Sequence, residues 1–306
     1  MNRISLVALI IAFALAAGCN VGANSQPTAE VETNSRSQSK SETAVAQFPE
    51  PKQLIDEFFE ADRLSRYGYQ VQTLTKKVER EDPDRRRHPT NAIDVSYSVI
   101  KQHGKVVAQF DGPNFGMGNS TQYALFDFLR NGSEQLIIST TVFRGGRHWV
   151  VSLHPEFRVL FDSADFQVGR EEFYVVDLDN DGIYEISLEE TAFYGMQDQM
   201  YIGEIPLPEI IFKYDPTQQK YLPANELFFD YSMRGLGDEL RRVSDEKNYL
   251  SNRLRILLRY IYAGKETQGW TFFDDTYRLQ DKDQMKSRIQ SVLNDDPLYQ
   301  YLHHSK

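Results

Sequence analysis

Nine residues, Asp177-Leu178-Asp179-Asn180-Asp181-Gly182-Ile183-Tyr184-Glu185, stand between two short apolar stretches, Phe173-Tyr174-Val175-Val176 and Ile186-Ser187-Leu188. Carboxylates fill the first, third, fifth and ninth places of the nine, and glycine fills the sixth. The flanks have strand length and strand composition, so the segment reads as the tip of a β-hairpin. Oxygen donors at this density suit a hard cation such as Ca²⁺, which takes about six to eight oxygen ligands. The ligand set is Asp177, Asp179, Asp181 and Glu185 through their side chains and Ile183 through its carbonyl, with Gly182 supplying the bend. Four carboxylates drawn to one point repel one another unless a cation neutralises them. The alternative is a tight polar turn with no ion. An EF-hand is excluded: its twelfth loop position needs a bidentate Glu between helices, and here Leu188 stands there between strands.

A shift of 50 residues towards the N-terminus lands on a related segment, Asp127-Phe128-Leu129-Arg130-Asn131-Gly132-Ser133-Glu134-Gln135. Asp127 matches Asp177, Asn131 matches Asp181, Gly132 matches Gly182 and Gln135 matches Glu185, while Leu129 replaces Asp179. The turn should persist there without the ion. A second landmark, an aromatic-Asp pair closing a strand, occurs at Phe110-Asp111, Phe161-Asp162 and Tyr214-Asp215, spaced 51 and 53 residues apart. Units of that length have the size of a four-stranded propeller blade. The loop and its repeat resemble the FG-GAP/VCBS class of β-propeller repeats. The resemblance covers residues 122–215 and is specific only at 177–185. It implies a hairpin stiffened by Ca²⁺ and a role in adhesion, ligand recognition or assembly, although such repeats also decorate enzymes. Three units fall short of the roughly four to eight blades of a closed ring.

The strand signals support that count. Residues 93–100 and 105–110 flank a turn at Gln102-His103-Gly104, and 136–143 and 148–153 flank Arg144-Gly145-Gly146-Arg147. Residues 157–161 follow Pro155, and 209–214 and 220–222 flank Asp215-Pro216-Thr217. Helical spacing appears at both ends of this region. Residues 51–64 carry Leu54, Phe58 and Phe59 on one helical face. After Ala224, the residues Leu250, Leu254, Leu257, Leu258 and Ile261 recur at helical period, with Gly264 as the closing residue. Trp270, Phe273 and Tyr277 mark a second helix. Asp281-Lys282-Asp283-Gln284 resembles a capping box opening a third, and Asp296-Pro297 opens a last one. The expected fold class is α+β: an antiparallel β-rich repeat domain over 49–224 with a leading helix, incomplete-propeller or sandwich-like, followed by a helical region over 225–306. Open sheet edges invite pairing with other chains, and the helices are candidates to cover them.

The N-terminal residues address the chain. Arg3 precedes an apolar run over 4–17 that is shorter than the ~20 residues a membrane-spanning helix needs. It ends Leu15-Ala16-Ala17-Gly18-Cys19, which resembles the lipobox of bacterial lipoproteins, with residues 1–18 as the signal peptide and Cys19 as the acylated residue. An ordinary secretory signal is the alternative. Cys19 is the only cysteine, so an internal disulfide is excluded. Residues 19–48 are polar and poor in large apolar groups, which makes them a disordered tether reaching ~30 Å. Asn20 rather than Asp after the cysteine tilts the location from the inner towards the outer membrane.

The formal charge of −10 argues against nucleic acid and against adhesion to anionic lipid. Arg85-Arg86-Arg87 sits among Glu79, Asp82 and Asp84 and reads as a solvated loop. The glycine-rich loop over 112–119 lacks the strand-loop-helix context of a phosphate cradle. No Gly-x-Ser-x-Gly, His-Glu-x-x-His or Walker-type motif is present. His148 and His154 are ~20 Å apart along an extended strand. In each of the pairs Glu171-Glu172 and Glu189-Glu190, neighbours on a strand face opposite ways, so neither forms a glycosidase dyad by itself. The reading is a lipid-anchored binding protein of the bacterial cell envelope, with a structural Ca²⁺ loop and a protein or glycan partner. The alternatives are a hydrolase acting on polysaccharide or peptidoglycan and a structural component of an envelope complex.

Overall fold

The computed structural model describes residues 48–304, apart from 55–56, 60–62, 80–91, 113–119, 143–144, 170–171 and 245–247. Cys19, the tether, the arginine run over 85–87 and most of the glycine-rich loop lie outside the described residues. Among the described residues, thirteen strands form three antiparallel sheets. Sheet one runs β2 (Arg63–Arg66), β3 (Tyr69–Glu79), β4 (Ala92–Gln102) and β5 (Lys105–Asp111) in sequential order. Sheet two runs β6 (Ser120–Phe126), β7 (Gln135–Val142), β8 (Gly145–Ser152) and β9 (Arg158–Asp162). Sheet three is ordered β1 (Lys52–Gln53), β10 (Tyr174–Val176), β11 (Glu185–Glu189), β12 (Glu209–Asp215) and β13 (Lys220–Pro223).

Strand periodicity explains how the sheets stack. Successive side chains on a strand point to opposite faces. In sheet two, Tyr123, Leu136, Ile138, Trp149 and Val151 join Tyr69, Val71, Ile100 and Phe110 of sheet one in one core. Their neighbours Ala124, Ile137 and Val150 join Val175, Ile186, Ile210 and Phe212 of sheet three in another. Sheet two is therefore buried on both faces. This is why Leu136-Ile137-Ile138 and Trp149-Val150-Val151 are unbroken apolar runs rather than alternating ones. The Tyr123 hydroxyl ties sheets one and two by hydrogen bonds with Thr73 Oγ1 at 2.7 Å and Ser98 Oγ at 2.8 Å.

The second core continues into the helical region. Helices α1 (Phe229–Ser232), α2 (Leu236–Arg242), α3 (Tyr249–Tyr262), α4 (Glu266–Thr276), α5 (Lys282–Asp295) and α6 (Pro297–His304) follow β13. Leu254, Leu257, Leu258 and Ile261 of α3, Phe273 of α4, Ile289 and Leu293 of α5 and Leu298 of α6 all enter that core. Gly264 ends α3 with φ of 75°, and the Lys265 N–H donates to the Tyr260 carbonyl at 2.8 Å. Asp296 caps α6, accepting from the backbone N–H groups of Leu298 at 3.0 Å and Tyr299 at 3.1 Å. The fold is α+β, β-rich with a helical C-terminal part.

Two expectations need correction, and a third holds with a difference in register. The leading helix over 51–64 is not formed in its described residues. Instead β1 pairs with β10, Leu54 donates its N–H to the Phe173 carbonyl at 3.0 Å, Phe59 bridges to Tyr123, and β2 begins at Arg63. Leu54, Phe58 and Phe59 satisfy a helical period, but burial of Leu54 and strand pairing along the β10 edge win. The proposed capping box at Asp281 makes no side-chain cap; its Oδ1 accepts from the Tyr277 hydroxyl at 3.1 Å. The aromatic-Asp pair closes a strand at each of its three places, and Asp111, Asp162 and Asp215 all end the fourth strand in their sheet's order; β1 leads sheet three, so Asp215 falls one strand earlier in the run that follows the loop.

Candidate metal centre

The loops over 127–135 and 177–185 take the same backbone turn, although Asp127 accepts from the Asn131 N–H at 3.2 Å and the Gly132 N–H at 3.0 Å while Asp177 Oδ1 finds no such partner among the described residues. Each joins the first two strands of a run, β6 to β7 and β10 to β11. Arg130 and Asn180 take left-handed φ values of 51° and 58°, and Gly132 and Gly182 follow at 81° and 86°. Gln135 Oε1 accepts from the Phe128 N–H at 2.8 Å, and Glu185 Oε2 accepts from the Leu178 N–H at 2.8 Å. Asn131 Oδ1 accepts from the Ser133 N–H at 2.9 Å, and Asp181 Oδ1 accepts from the Ile183 N–H at 2.8 Å. The two loops also touch: the Tyr184 N–H donates to the Phe128 carbonyl at 2.9 Å, and the Arg130 guanidinium lies 4.7 Å from the Tyr184 ring centre.

Their difference lies in charge. The later loop gathers Asp177, Asp179 and Glu185, one oxygen of each lying within 4.8 Å of the others. Among them sits the ammonium of Lys213 from β12, at 2.6 Å from Asp179 Oδ2, 2.8 Å from Asp181 Oδ2 and 3.2 Å from Glu185 Oε1. Burial works against the Lys213 charge, but its hydrogen bonds to Asp179 and Asp181 and the charge of Glu185 hold its pKa above the ordinary lysine value. Burial pushes the Glu185 carboxyl up, more than the Leu178 N–H and Lys213 bring it down. Burial also raises Asp181, yet Lys213 and the Ile183 N–H outweigh it and hold that carboxyl below its usual value. The ammonium balances one of four negative charges. Asp177 Oδ1 is buried and has no hydrogen-bond partner among the described residues.

That set fits a hard cation in part. Asp177, Asp179 and Glu185 converge as the sequence pattern requires, and the orphaned Asp177 oxygen lacks the partner that buried polar atoms normally find. Asp181 is turned to the Ile183 N–H and Lys213 instead of joining the triad. Ile183 enters through that N–H, and Gly182 takes the bend expected of it. Lys213 was invisible to motif reading. The one available signal was a lysine inside the otherwise apolar run Ile210-Ile211-Phe212-Lys213-Tyr214.

The carboxylate pairs resolve differently. Glu190 is fully buried; burial first and the charge of Asp296 second push its carboxyl well above the usual range. Its Oε1 accepts from the Ala192 N–H, while Oε2 has no partner among the described residues. Asp296, also raised chiefly by burial, accepts the Tyr262 hydroxyl at 2.7 Å. Glu189 pairs across the sheet with Glu209, and both line a cavity of about 170 Å³ with Glu172. Glu209 is committed to Arg234 at 2.5 Å and to the Tyr231 hydroxyl at 3.3 Å. No helix among the described residues is long and apolar enough to cross a membrane. No family model, curated protein or solved structure matches the chain.

Proposed function

We propose that the chain is a lipid-anchored binding protein of the bacterial cell envelope, whose loop over 177–185 takes Ca²⁺ as a structural ion beside or in place of the Lys213 ammonium. The observation that carries this reading is Asp177 Oδ1, buried without a partner at the edge of a converging carboxylate triad. Lys213 leaves three formal negative charges on the loop, and a divalent cation would reduce them to one. The ion would be held by Asp177, Asp179 and Glu185, with Asp181 and the Ile183 carbonyl completing the set after a local turn. Its bound charge would stiffen the hairpin between β10 and β11. The resemblance to FG-GAP/VCBS repeats supports a binding role, the Leu15-to-Cys19 pattern supports the anchor, and Asn20 after the cysteine favours the outer membrane over the inner. A protein or glycan of the envelope is the partner class.

Thermal unfolding of the chelated protein with and without Ca²⁺ tests the ion. Binding to the folded state alone adds about 2.7 kcal/mol at a hundredfold excess over Kd. That corresponds to a rise of about 2–4 °C per kcal/mol for a domain of this size. A melting temperature indifferent to both chelator and Ca²⁺ would show that the loop is a lysine-closed turn. Labelling with a fatty-acid analogue tests the anchor, and Cys19→Ser should remove the label.

The second reading, a hydrolase of polysaccharide or peptidoglycan, draws on the cavity lined by Glu172, Glu189 and Glu209. Its weakness is that Glu209 is already held by Arg234, while the strongly raised carboxyl of Glu190 is sealed in the core. Glycan cleavage that disappears in Glu189→Gln would favour it.

A further inference from the structure

A cavity of about 260 Å³ opens between the start of β12, the end of α1 and helices α2 and α3, and it shares no residue with the carboxylate loop. Three guanidinium groups, Arg234, Arg255 and Arg259, and two carboxylates, Glu209 and Glu239, line it. Two of the guanidinium groups are already spoken for. Arg234 donates to Glu209 Oε2 at 2.5 Å and to the Tyr231 carbonyl at 3.1 Å. Arg259 donates to the Ser232 carbonyl at 2.9 Å through Nε and meets Glu239 Oε2 at 2.9 Å.

Arg255 is different. It lies one turn before Arg259 on the same face of α3, is half-buried, and makes no hydrogen bond or ion pair among the described residues. Among the described residues that line it, the cavity therefore carries one surplus positive charge, in a chain whose formal charge is −10. A further donor stands in the same wall. Ser232 Oγ accepts from Asn225 Nδ2 at 3.2 Å, which leaves its own proton to donate.

We propose that this cavity binds a compact monocarboxylate, paired with the Arg255 guanidinium and hydrogen-bonded by the Ser232 hydroxyl. The planar fork of a guanidinium matches a carboxylate through two parallel N–H···O bonds. A phosphate monoester carries about −1.5 to −2 charges at neutral pH, more than the single surplus charge balances beside two carboxylates. The volume admits a small ligand or the end of a larger one, so the carboxylate is terminal.

The test uses the full-length chain labelled with ¹⁵N-arginine, titrated with N-acetylglycine, with its neutral counterpart N-acetylglycinamide and with inorganic phosphate. The Nε–Hε signal of Arg255, identified by its absence in Arg255→Gln, should shift and saturate with N-acetylglycine in the millimolar range. It should not shift with the amide, and calorimetry should show at least a tenfold weaker response in Arg255→Gln. No saturable shift, an equal shift with the amide, or tighter saturation with phosphate would each overturn the assignment. If Arg255→Gln fails to fold, the acid-against-amide comparison on the wild-type chain still decides. None of these outcomes touches the Ca²⁺ melting shift, so the two proposals fail separately.

Discussion

Lys213 on β12 and Ser152 on β8 occupy the same place in two equivalent antiparallel strand pairs, β11 with β12 and β7 with β8. Ile186 pairs with Phe212 and Leu136 with Val151, so Lys213 stands beside Glu185 as Ser152 stands beside Gln135. Where the loop carries four carboxylates at the ligand positions the neighbouring strand supplies a cation, and where only Asp127 is left at those positions it supplies a neutral hydroxyl. The comparison within one molecule identifies Lys213 as the counter-charge of the acidic loop.

Lys213→Met should therefore destabilise the chelated protein. It removes three contacts from a side chain that is 24% exposed, and hydrogen bonds to charged groups contribute about 1.5–3 kcal/mol. Loss of the positive charge should at the same time tighten Ca²⁺ binding, so that saturating Ca²⁺ restores most of the melting temperature. Scanning calorimetry in chelator and in Ca²⁺ measures both effects. Equal Ca²⁺ affinity in variant and wild type would show that lysine and ion do not compete.

The sister loop offers the reverse experiment. Leu129→Asp restores the third-position carboxylate at a loop with the same backbone geometry. A second, weak Ca²⁺ site is expected, at some cost in stability because Leu129 packs against the second core. Calorimetric stoichiometry reads it directly: an unchanged count would set aside the equivalence of the two loops as ligand frames.

Glu190 predicts a pH dependence of known sign. Its folded-state pKa lies above the unfolded value, so the folded protein binds the proton more tightly. Stability from this group is full below the ordinary carboxylate pKa and is lost as pH rises towards the folded value. Asp296, raised in the same direction, adds to the trend. Glu190→Gln keeps an oxygen for the Ala192 N–H and removes the buried charge. It should stabilise the protein at neutral pH by about 1–3 kcal/mol, the scale of a poorly solvated polar group, and flatten the slope. Denaturant unfolding at several pH values checks it, and a steeper slope in the variant would refute the assignment.

Gly269 on α4 sets how closely that helix approaches α3. A methyl group there would lie 3.0 Å from the Leu257 carbonyl oxygen and 3.0 Å from Tyr260 Cβ. Leu257 is fully buried and has no room to retreat. Alanine gains about 1 kcal/mol over glycine in a helix interior, while overpacking costs about 1–3 kcal/mol. Gly269→Ala should thus lower the denaturation midpoint in spite of its better helix propensity.

Local features of the sequence foretold local features of the fold. The hairpins around Gly104 and Pro216, the helix ending at Gly264 and the cap at Asp296 follow from backbone chemistry confined to a few residues. The loop pair at 127–135 and 177–185 was legible because glycine and carboxylate spacing fixes the turn. What escaped were choices made by distant partners. Leu54 and Phe59 fit a helical face until the free edge of β10 and the Tyr123 backbone claimed that segment for sheet pairing. Asp281 offered a cap that Tyr277 diverted. Lys213 joins the site only through the β11–β12 register, which no motif in the loop encodes.

The burial of sheet two on both faces links these parts mechanically. Leu136 and Ile138 serve one core while Ile137, between them, serves the other. A polar substitution at Ile137 should be felt by Val175 and Phe212 across the core it shares with them, and by the two leucine-type neighbours that hold sheet one. Neither flanking sheet can be cut away without baring a largely apolar face that includes Leu136, Ile138, Trp149 and Val151 on one side and Ala124, Ile137 and Val150 on the other, so a fragment lacking residues 63–111 should aggregate rather than fold. The three sheets and the helical region should melt in a single cooperative transition, and residues 48–304 are best handled as one folding unit.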